Sequence, residues 1–211
     1  MDEIVILGGG GLASEVADAV HAIEGAGGPV CRLLYDDDRR LKGRMLQGLE
    51  YAGTIQDYLD GDRPGAACVI GIGDNAVRER LATELAAAGR TIRTVVHPTA
   101  VVSGTAIVGA GCYVAAWTFV GPRVRLGCHV VVNVGTSIGH DAVVEDLAQL
   151  CPGVRVSGFC HIGRAAFLGS NAVVAPGKRV GAGARLSACS FAGRDIPSGT
   201  LASGVPAKSI G

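Results

Sequence analysis

An aliphatic residue recurs at every sixth position through the second half of the chain, and this period restricts the possible folds more than any other feature. A period of six does not keep one face of a 3.6-residue helical turn apolar, so a helical interpretation fails. The period instead predicts a parallel β-helix, in which each unit forms one short strand and a turn, and three units complete one coil. The series consists of Val96, Val102, Val108, Val114, Val120, Leu126, Val132, Ile138, Val144, Leu150, Val156, Ile162, Leu168, Val174, Val180 and Leu186, with Ala192 at its end.

The residues around each aliphatic position suit such a coil. A compact residue stands two positions earlier in most units, as at Ala100, Cys112 and Ala166, although Lys178 interrupts this column. We expect the aliphatic side chain to point inward and the compact one to fill the space beside the corner. Stacked coils pair as parallel strands about 4.8 Å apart, and each inward Val or Leu contributes about 1.5–3 kcal/mol when fully buried.

Short apolar strands alternate with helical segments before the repeat, which predicts a small parallel α/β domain. The predicted strands are Ile4–Leu7, Val30–Tyr35 and Ala67–Ile72, and the predicted helices are Leu12–Glu24 and Ala76–Ala88. Gly8, Gly10 and Ala13 fit the pattern G-x-G-x-x-A, whose free N–H groups attract phosphate at a helix N-terminus. Asp36, at the end of the second strand, suits a ribose hydroxyl. An NAD domain is one interpretation, but a domain ending near residue 93 is too short for a full dinucleotide fold, which favours a nucleotide-sugar half-site.

The order of these motifs resembles the hexapeptide-repeat acetyltransferases of the sialic acid O-acetyltransferase and nucleotide-amino-sugar N-acetyltransferase family. The residues that carry the resemblance are GGGGLASEV, LLYDDD and VIGIGDNAVRERL in the first domain, NVGTSIGHDAVVED in the repeat, and SGVPAK near the end. The resemblance covers essentially the whole chain. It implies an α/β Rossmann-like domain over 1–93, a left-handed β-helix over 94–195, and a tail over 196–211 that contributes to a coenzyme A site.

The resemblance also implies catalytic residues. Acyl transfer requires a base for the attacking amine or hydroxyl, and imidazole, with an unperturbed pKa near 6.5, suits this role, which contributes about 10²–10⁴ in rate. By resemblance His140 is the base and Asp141 its partner. Because one coil takes eighteen residues, Gly158 lies one rung from His140, where its N–H is placed to bind the thioester oxygen, a contribution of about 3 kcal/mol.

Two substrates, acetyl-CoA and a nucleotide-linked sugar, follow from the same resemblance. The implied acetyl-CoA residues are Gly158, Ala175, Lys178, Arg185 and Lys208, although a solvated basic face would also explain the cations. The implied sugar-nucleotide residues are Gly8, Gly10, Gly11, Leu12, Asp36, Asp37, Gly73, Asn75 and Asn133. Asn133 has a structural alternative, an asparagine stacked at a turn. Leu12 and Gln149 depart from the family, because many relatives have His at the first position and some have His at the second.

Composition and charge exclude several other functions. The formal net charge is zero with no run of Lys or Arg, which argues against nucleic acid. No apolar segment approaches eighteen residues, so no membrane span is expected, and the acidic start of the chain is wrong for a signal peptide. Seven cysteines without a CxxC pair suggest reduced thiols in the cytoplasm. No metal is expected, since His129 and His161 fall in different columns from His140, unlike the three convergent zinc histidines of γ-class carbonic anhydrases.

Three functions therefore remain open. The leading hypothesis is N-acetylation of a nucleotide-linked amino sugar with acetyl-CoA; the alternatives are O-acetylation of sialic acid or a related sugar, and non-catalytic binding of a nucleotide sugar. A homotrimer is also expected, because several apolar residues occupy outward positions of the β-helix and contiguous apolar patches mark interfaces. These residues are Tyr113, Trp117, Phe119, Val131 and Val143.

Overall fold

The computed structural model describes residues 3–210, which divide into two compact units, one ending at Pro98 and the other beginning at Thr99. The first unit is Rossmann-like. Its strands are β1 (Glu3–Leu7), β2 (Val30–Tyr35), β3 (Met45–Leu46), β4 (Leu49–Gly53), β5 (Ala67–Ile70) and β6 (Val95–Val96), and its helices are α1 (Gly11–Gly25), α2 (Ile55–Leu59) and α3 (Asn75–Ala87), with a 3₁₀ turn at Arg39–Leu41.

Five strands of this unit form one sheet in the order β3-β4-β2-β1-β5. All neighbours are parallel except β3, which pairs antiparallel with β4 at the edge. The strand and helix predictions for β1, β2, β5, α1 and α3 agree with the structure to within two residues at each end. The sequence analysis did not predict β3, β4 and α2. The last of these begins at a capping box, in which Thr54 and Asp57 satisfy each other's backbone N–H groups.

The second unit is a left-handed parallel β-helix built from two-residue strands. Three stacks of strands run along it, and the strands from Val101–Val102 to Val173–Val174 each pair with the strand eighteen residues further on, as Ser137 does with Arg155. The strands are β7 (Val101–Val102), β8 (Ile107–Val108), β9 (Tyr113–Val114), β10 (Phe119–Val120), β11 (Arg125–Leu126), β12 (Val131–Val132), β13 (Ser137–Ile138), β14 (Val143–Val144), β15 (Gln149–Leu150), β16 (Arg155–Val156), β17 (His161–Ile162), β18 (Phe167–Leu168), β19 (Val173–Val174), β20 (Arg179–Val180), β21 (Arg185–Leu186), β22 (Phe191–Ala192), β23 (Leu201–Gly204) and β24 (Ala207–Ile210).

The predicted inward column forms the core of the β-helix. Every member of the series from Val114 to Ala192 is at most 3% exposed. Val102 and Val108, in the first coil, are only half-buried. The chain ends in an antiparallel hairpin of β23 and β24. Many corners between strands require a left-handed backbone, with φ near +60° at residues such as Arg123, Asp141 and Phe159.

The outward apolar positions are less exposed than the sequence analysis predicted. Trp117 is 73% exposed and Phe119 is 45% exposed, but Tyr113 and Val131 are almost completely buried, and Val143 is half-buried. The prediction was wrong for Tyr113 and Val131, which lie opposite each other on neighbouring strands and are shielded from solvent by other residues of the same chain. Of the five predicted residues, Trp117 and Phe119 are therefore the two that are exposed.

Within residues 3–210, no helix combines the length and the apolar character needed to cross a bilayer. The same part of the chain contains no group of three or more His, Cys, Asp or Glu side chains arranged to hold a metal ion. All seven cysteines are free thiols. Burial raises the pKa of the Cys112 thiol to about 12, so this thiol in the core stays protonated and acts as a small apolar side chain.

Candidate active site

His140 and Asp141 lie together at the corner between β13 and β14. Asp141 adopts φ of 59°, and its backbone N–H donates to the carbonyl of Pro122 in the preceding coil. Both side chains lie outside the apolar core, since the His140 side chain is 53% exposed and that of Asp141 is 22% exposed. The corner therefore presents an imidazole and a carboxylate side by side at the surface.

A hydrogen bond between these two residues fixes the role of each imidazole nitrogen. His140 Nδ1 lies 2.8 Å from Asp141 Oδ2. An ionised carboxylate only accepts, so Nδ1 carries the proton and donates it. In the neutral ring Nε2 is then left with a free lone pair. This is the arrangement that a general base with an orienting carboxylate requires.

Arg123 completes the group, and the sequence analysis missed it. Its Nε and one terminal nitrogen lie 2.7 and 2.8 Å from the two oxygens of Asp141. The Arg123 guanidinium, followed by the His140 hydrogen bond, lowers the pKa of Asp141 to about 2. Arg123 stands eighteen residues before Asp141, so the coil spacing that links His140 to Gly158 would have identified it.

Gly158 lies directly against the imidazole, as the coil spacing predicted. A Cβ atom built on Gly158 would stand 2.8 Å from both Cε1 and Nε2 of His140, which is closer than van der Waals contact allows. Any side chain at this position would displace the ring. Glycine is thus required here by the close approach of an imidazole, although the Gly158 backbone does not have a positive φ.

The backbone N–H of Gly158 donates to no atom within residues 3–210. The reason is the geometry of the corner, because this column makes no rung hydrogen bond through its N–H. Pro122 and Pro176, which have no N–H, occupy the same column on either side of His140 and Gly158. Gly158 is half-buried and lies against the His140 ring, so its unpaired N–H is a candidate donor to an oxygen atom of a substrate.

The structure separates the other residues predicted for acetyl-CoA. Ala175 and Lys178 lie at the corner of His140, two coils further on, and are half-buried. Arg185 and Lys208 belong instead to the stack that contains β15 and β18. The guanidinium of Arg185 lies 4.4 Å from the centre of the Phe167 ring. The basic residues therefore do not form one cluster, because neighbouring six-residue units lie on different faces of the coil.

The glycine-rich loop of the first unit meets the end of β2. Gly9 N donates to Asp36 Oδ2 at 2.6 Å, and Asp38 N donates to Asp36 Oδ1 at 2.6 Å. Asp36 therefore holds the glycine-rich loop at the end of β2. The sequence predicted only a ribose ligand at this position and not this structural role. Gly8 has φ of 117° and approaches the Gly71 carbonyl so closely that a Cβ would be 2.9 Å from its oxygen.

Helix α1 begins directly after this loop without a side-chain cap at Gly10 and without an acidic residue in its first turn. The N–H groups of its first turn are thus open to an anion. Gly10 and Gly11 are exposed, and Leu12 is half-buried. The glycine spacing thus precedes a helix start whose N–H groups carry no side-chain cap, and its role in binding phosphate stays a prediction.

The loop after β5 is fixed by a buried arginine that the sequence analysis also missed. Arg78 is 2% exposed; its guanidinium donates to the Gly73 carbonyl at 3.0 Å and to Asn75 Oδ1 at 2.9 Å. This loop and the glycine-rich loop lie at the same edge of the sheet, since β1 and β5 are parallel neighbours. The exposed Asp37 lies at this edge too, and its Oδ1 accepts from Ile55 N at 3.1 Å.

Asn133 does not present its side chain to solvent within the chain. It is 8% exposed, and its Oδ1 accepts a 2.6 Å hydrogen bond from Val134 N. The structural alternative considered for this residue, an asparagine that stabilises a turn, accounts for these contacts. The assignment to the acceptor sugar has no support from this geometry.

A second imidazole–carboxylate pair lies apart from His140. His161 Nε2 is 2.5 Å from Glu145 Oε1, and the pair, with Arg179 and Asp195, lines a cavity of about 430 Å³. His161 is the main cause that lowers the pKa of Glu145. None of the residues predicted for catalysis lines this cavity, so its volume does not mark the reaction centre.

Comparisons with known proteins show which proteins this chain resembles. Residues 3–85 match the family described as the PglD N-terminal domain. A GDP-perosamine N-acetyltransferase from Escherichia coli O157:H7 is 24% identical over 135 residues, 64% of this chain and 60% of that protein. The aligned region thus spans less than two thirds of this curated relative.

Two solved structures match the whole chain. A histidine-to-asparagine mutant of perosamine N-acetyltransferase from Caulobacter crescentus, in complex with CoA and GDP-perosamine, is 29% identical with a TM-score of 0.93, covering 100% of this chain and 98% of that chain. The acetyltransferase domain of PglB from Neisseria gonorrhoeae is 27% identical with a TM-score of 0.93 over 100% of both chains.

The bidentate ion pair between Arg123 and Asp141 leads to a prediction about titration. Because the folded pKa of Asp141 is about 2, below the ordinary value of 3.8, its ionisation stabilises the fold above pH 3.8, and this contribution is lost as the pH falls through about 2. We expect Arg123→Gln to raise the Asp141 midpoint, measured by the carboxyl ¹³C shift in NMR. Arg80→Gln, which removes an exposed ion pair with Glu84, is the control. An unchanged midpoint in Arg123→Gln would contradict the assigned cause.

Proposed function

We propose that this chain, a member of the hexapeptide-repeat nucleotide-amino-sugar acetyltransferases, transfers the acetyl group of acetyl-CoA to the amino group of a nucleotide-linked sugar. The observation that carries the proposal is the juxtaposition of the His140–Asp141 hydrogen bond with the free N–H of Gly158. The base and the oxyanion donor lie on adjacent coils, where Gly158 stands directly against the imidazole of His140. Two of the relatives named above, from Escherichia coli and Caulobacter crescentus, are N-acetyltransferases, which favours an amine over a hydroxyl as the acceptor.

The geometry supports direct attack without a covalent enzyme intermediate. The amine nitrogen attacks the thioester carbon, and its proton passes to Nε2 of His140. The carbonyl oxygen becomes negative and accepts from Gly158 N–H, a preorganised donor of the kind that contributes about 3 kcal/mol. The thiolate of coenzyme A then leaves and takes up the proton, so that the imidazole is neutral again. Asp141 stays ionised throughout and stabilises the imidazolium.

The first unit would bind the nucleotide. The uncapped start of α1 and the Gly8–Gly11 loop suit a diphosphate, and Gly73 and Asn75 lie at the same edge of the sheet. Asp36 would act chiefly by holding the loop through its contact with Gly9 N. GDP-perosamine is the first acceptor to test, because two of the relatives named above have it in their name or their complex.

His140→Ala tests the base directly. We expect the release of coenzyme A thiol, with acetyl-CoA and GDP-perosamine or related nucleotide amino sugars at saturation, to fall about 10²-fold or more. The melting temperature should change little, because the side chain lies outside the core. His21→Ala in the first unit is a matched control. Near-full turnover in His140→Ala would remove His140 from the base role.

Asp36→Ala tests the nucleotide site. Without this carboxylate, the N–H of Gly9 loses its partner and the glycine-rich loop loses its tie to β2. We expect the KM for the nucleotide sugar to rise about tenfold, equivalent to one lost charge-assisted hydrogen bond, while the KM for acetyl-CoA stays nearly constant. Asp18→Ala, on the exposed side of α1, is the control. Equal increases in both KM values would argue against separate sites.

The assembly proposed for the enzyme is a homotrimer with its active sites at the subunit boundaries. Trp117 and Phe119 remain exposed on the β-helix, and a closed threefold assembly would cover such a patch. Light scattering should give three times the mass of one 21.3 kDa chain, and Trp117→Asp should reduce that mass. A fully active monomer would contradict the shared-site arrangement. The proposed location is the cytoplasm, where free thiols are common.

A further inference from the structure

Phe159 occupies a backbone conformation that disfavours its own side chain. Its φ is 59°, in the left-handed region, where a bulky residue is an outlier and glycine has no steric strain. The ring is 64% exposed, so burial in the core does not offset this cost. One coil further on, Gly177 takes the same corner position with φ of 70°. The fold therefore accepts glycine here, and the phenylalanine needs another explanation.

The ring of Phe159 lies against the proposed base. Its centre is 5.0 Å from the centre of the His140 imidazole, and the two planes stand at 89°, the edge-to-face arrangement that aromatic pairs prefer. The backbone of the same residue also holds His140, because Phe159 N donates to the His140 carbonyl at 3.0 Å. One residue of the following coil thus contacts both the main chain and the ring of His140.

The other contacts of the imidazole leave its plane able to tilt, and Phe159 prevents this tilt. The hydrogen bond from Nδ1 to Asp141 fixes one corner of the ring, but a single hydrogen bond permits the plane to tilt about it. Gly158, beside Cε1 and Nε2, has no side chain to oppose such a tilt. The perpendicular phenyl ring provides that support, so Nε2 keeps one direction.

We propose that Phe159 is a positioning residue, which fixes the plane of the His140 imidazole so that Nε2 points at the reacting amine beside the N–H of Gly158. This proposal rests on the proposed function of His140. Proton transfer requires about 2.6–3.2 Å between heavy atoms, and an error of 1 Å in such a site costs about 10²-fold. A tilting imidazole would therefore lower the turnover number and leave substrate binding largely intact.

Three substitutions separate the ring from the backbone. Phe159→Gly removes the ring and relieves the positive φ, so it should keep or raise the melting temperature while lowering kcat about tenfold, within the loss expected for a misplaced group. Phe159→Leu keeps apolar bulk without an aromatic plane and should lose a similar amount. Phe159→Tyr keeps the ring and should stay within about twofold of the wild type, because the edge-to-face contact with His140 remains.

Ala165→Gly is the control for the backbone. Ala165 is also a corner residue with positive φ, 55°, so this variant should share the stability gain of Phe159→Gly without the loss of turnover. KM values for both substrates should change less than kcat in Phe159→Gly and Phe159→Leu. The His140 ring protons, followed by NMR, should lose a ring-current shift in Phe159→Gly and Phe159→Leu but not in Phe159→Tyr.

Wild-type kcat in Phe159→Gly or Phe159→Leu would overturn the proposal, and so would a loss in Phe159→Tyr equal to that in Phe159→Leu. If Phe159→Gly has a lower melting temperature, the kcat values of Phe159→Leu and Phe159→Tyr still show whether apolar bulk or the aromatic ring is needed. The activity of His140→Ala distinguishes a failure of the positioning role of Phe159 from a failure of the proposed function. An inactive His140→Ala beside fully active Phe159 variants would reject the positioning role alone, whereas an active His140→Ala would reject the base itself.

Discussion

Parallel backbone pairing between residues eighteen positions apart is the interaction on which the candidate site depends. The rung hydrogen bonds of Asp141 and Phe159 reach back to Pro122 and His140 in the preceding coils, and the inward aliphatic column buries the apolar surface that stabilises these coils. Because the register is constant, outward side chains stack in columns. Arg123, Asp141 and Phe159 form one such column, and each contacts either His140 or the partner of His140.

The left-handed corner explains why a backbone N–H in the candidate site has no hydrogen bond along the coils. A positive φ turns the chain sharply after two residues of strand, and the residue before the turn makes no rung hydrogen bond through its N–H. Three corners replace this residue with proline, at Pro122, Pro152 and Pro176, and three others donate the N–H to a side-chain oxygen. At Gly158 the same unused donor lies beside Nε2 of an imidazole. A regular feature of the fold thus becomes specific through its neighbours, without any distortion of the backbone.

Sequence reasoning succeeded where a period determined position. The six-residue series predicted the core, and the spacing of eighteen predicted the contact between His140 and Gly158. Counted backward from Asp141, the same spacing leads to Arg123, which the count forward from His140 does not reach. Burial was harder to predict: Tyr113, Val131 and Asn133 occupy outward or turn positions, and their environment depends on what covers them. Residues 45–59 form strands and a helix too short for a periodic signal. The roles of Arg78 and Phe159 depend on loop carbonyls and a ring plane, which no residue pattern contains.

The constant register also limits how a gene for such a chain can change in length. A deletion of one residue between Arg123 and Gly158 would move every later side chain out of its column. A deletion of six residues would move every later side chain to a neighbouring face of the coil. Only insertions or deletions of a whole coil keep each outward residue on its original face, and even these separate the partners if they fall inside the site. Length variation is therefore tolerated towards the ends of the β-helix, while the coils from Arg123 to Phe159 can diverge only by substitution.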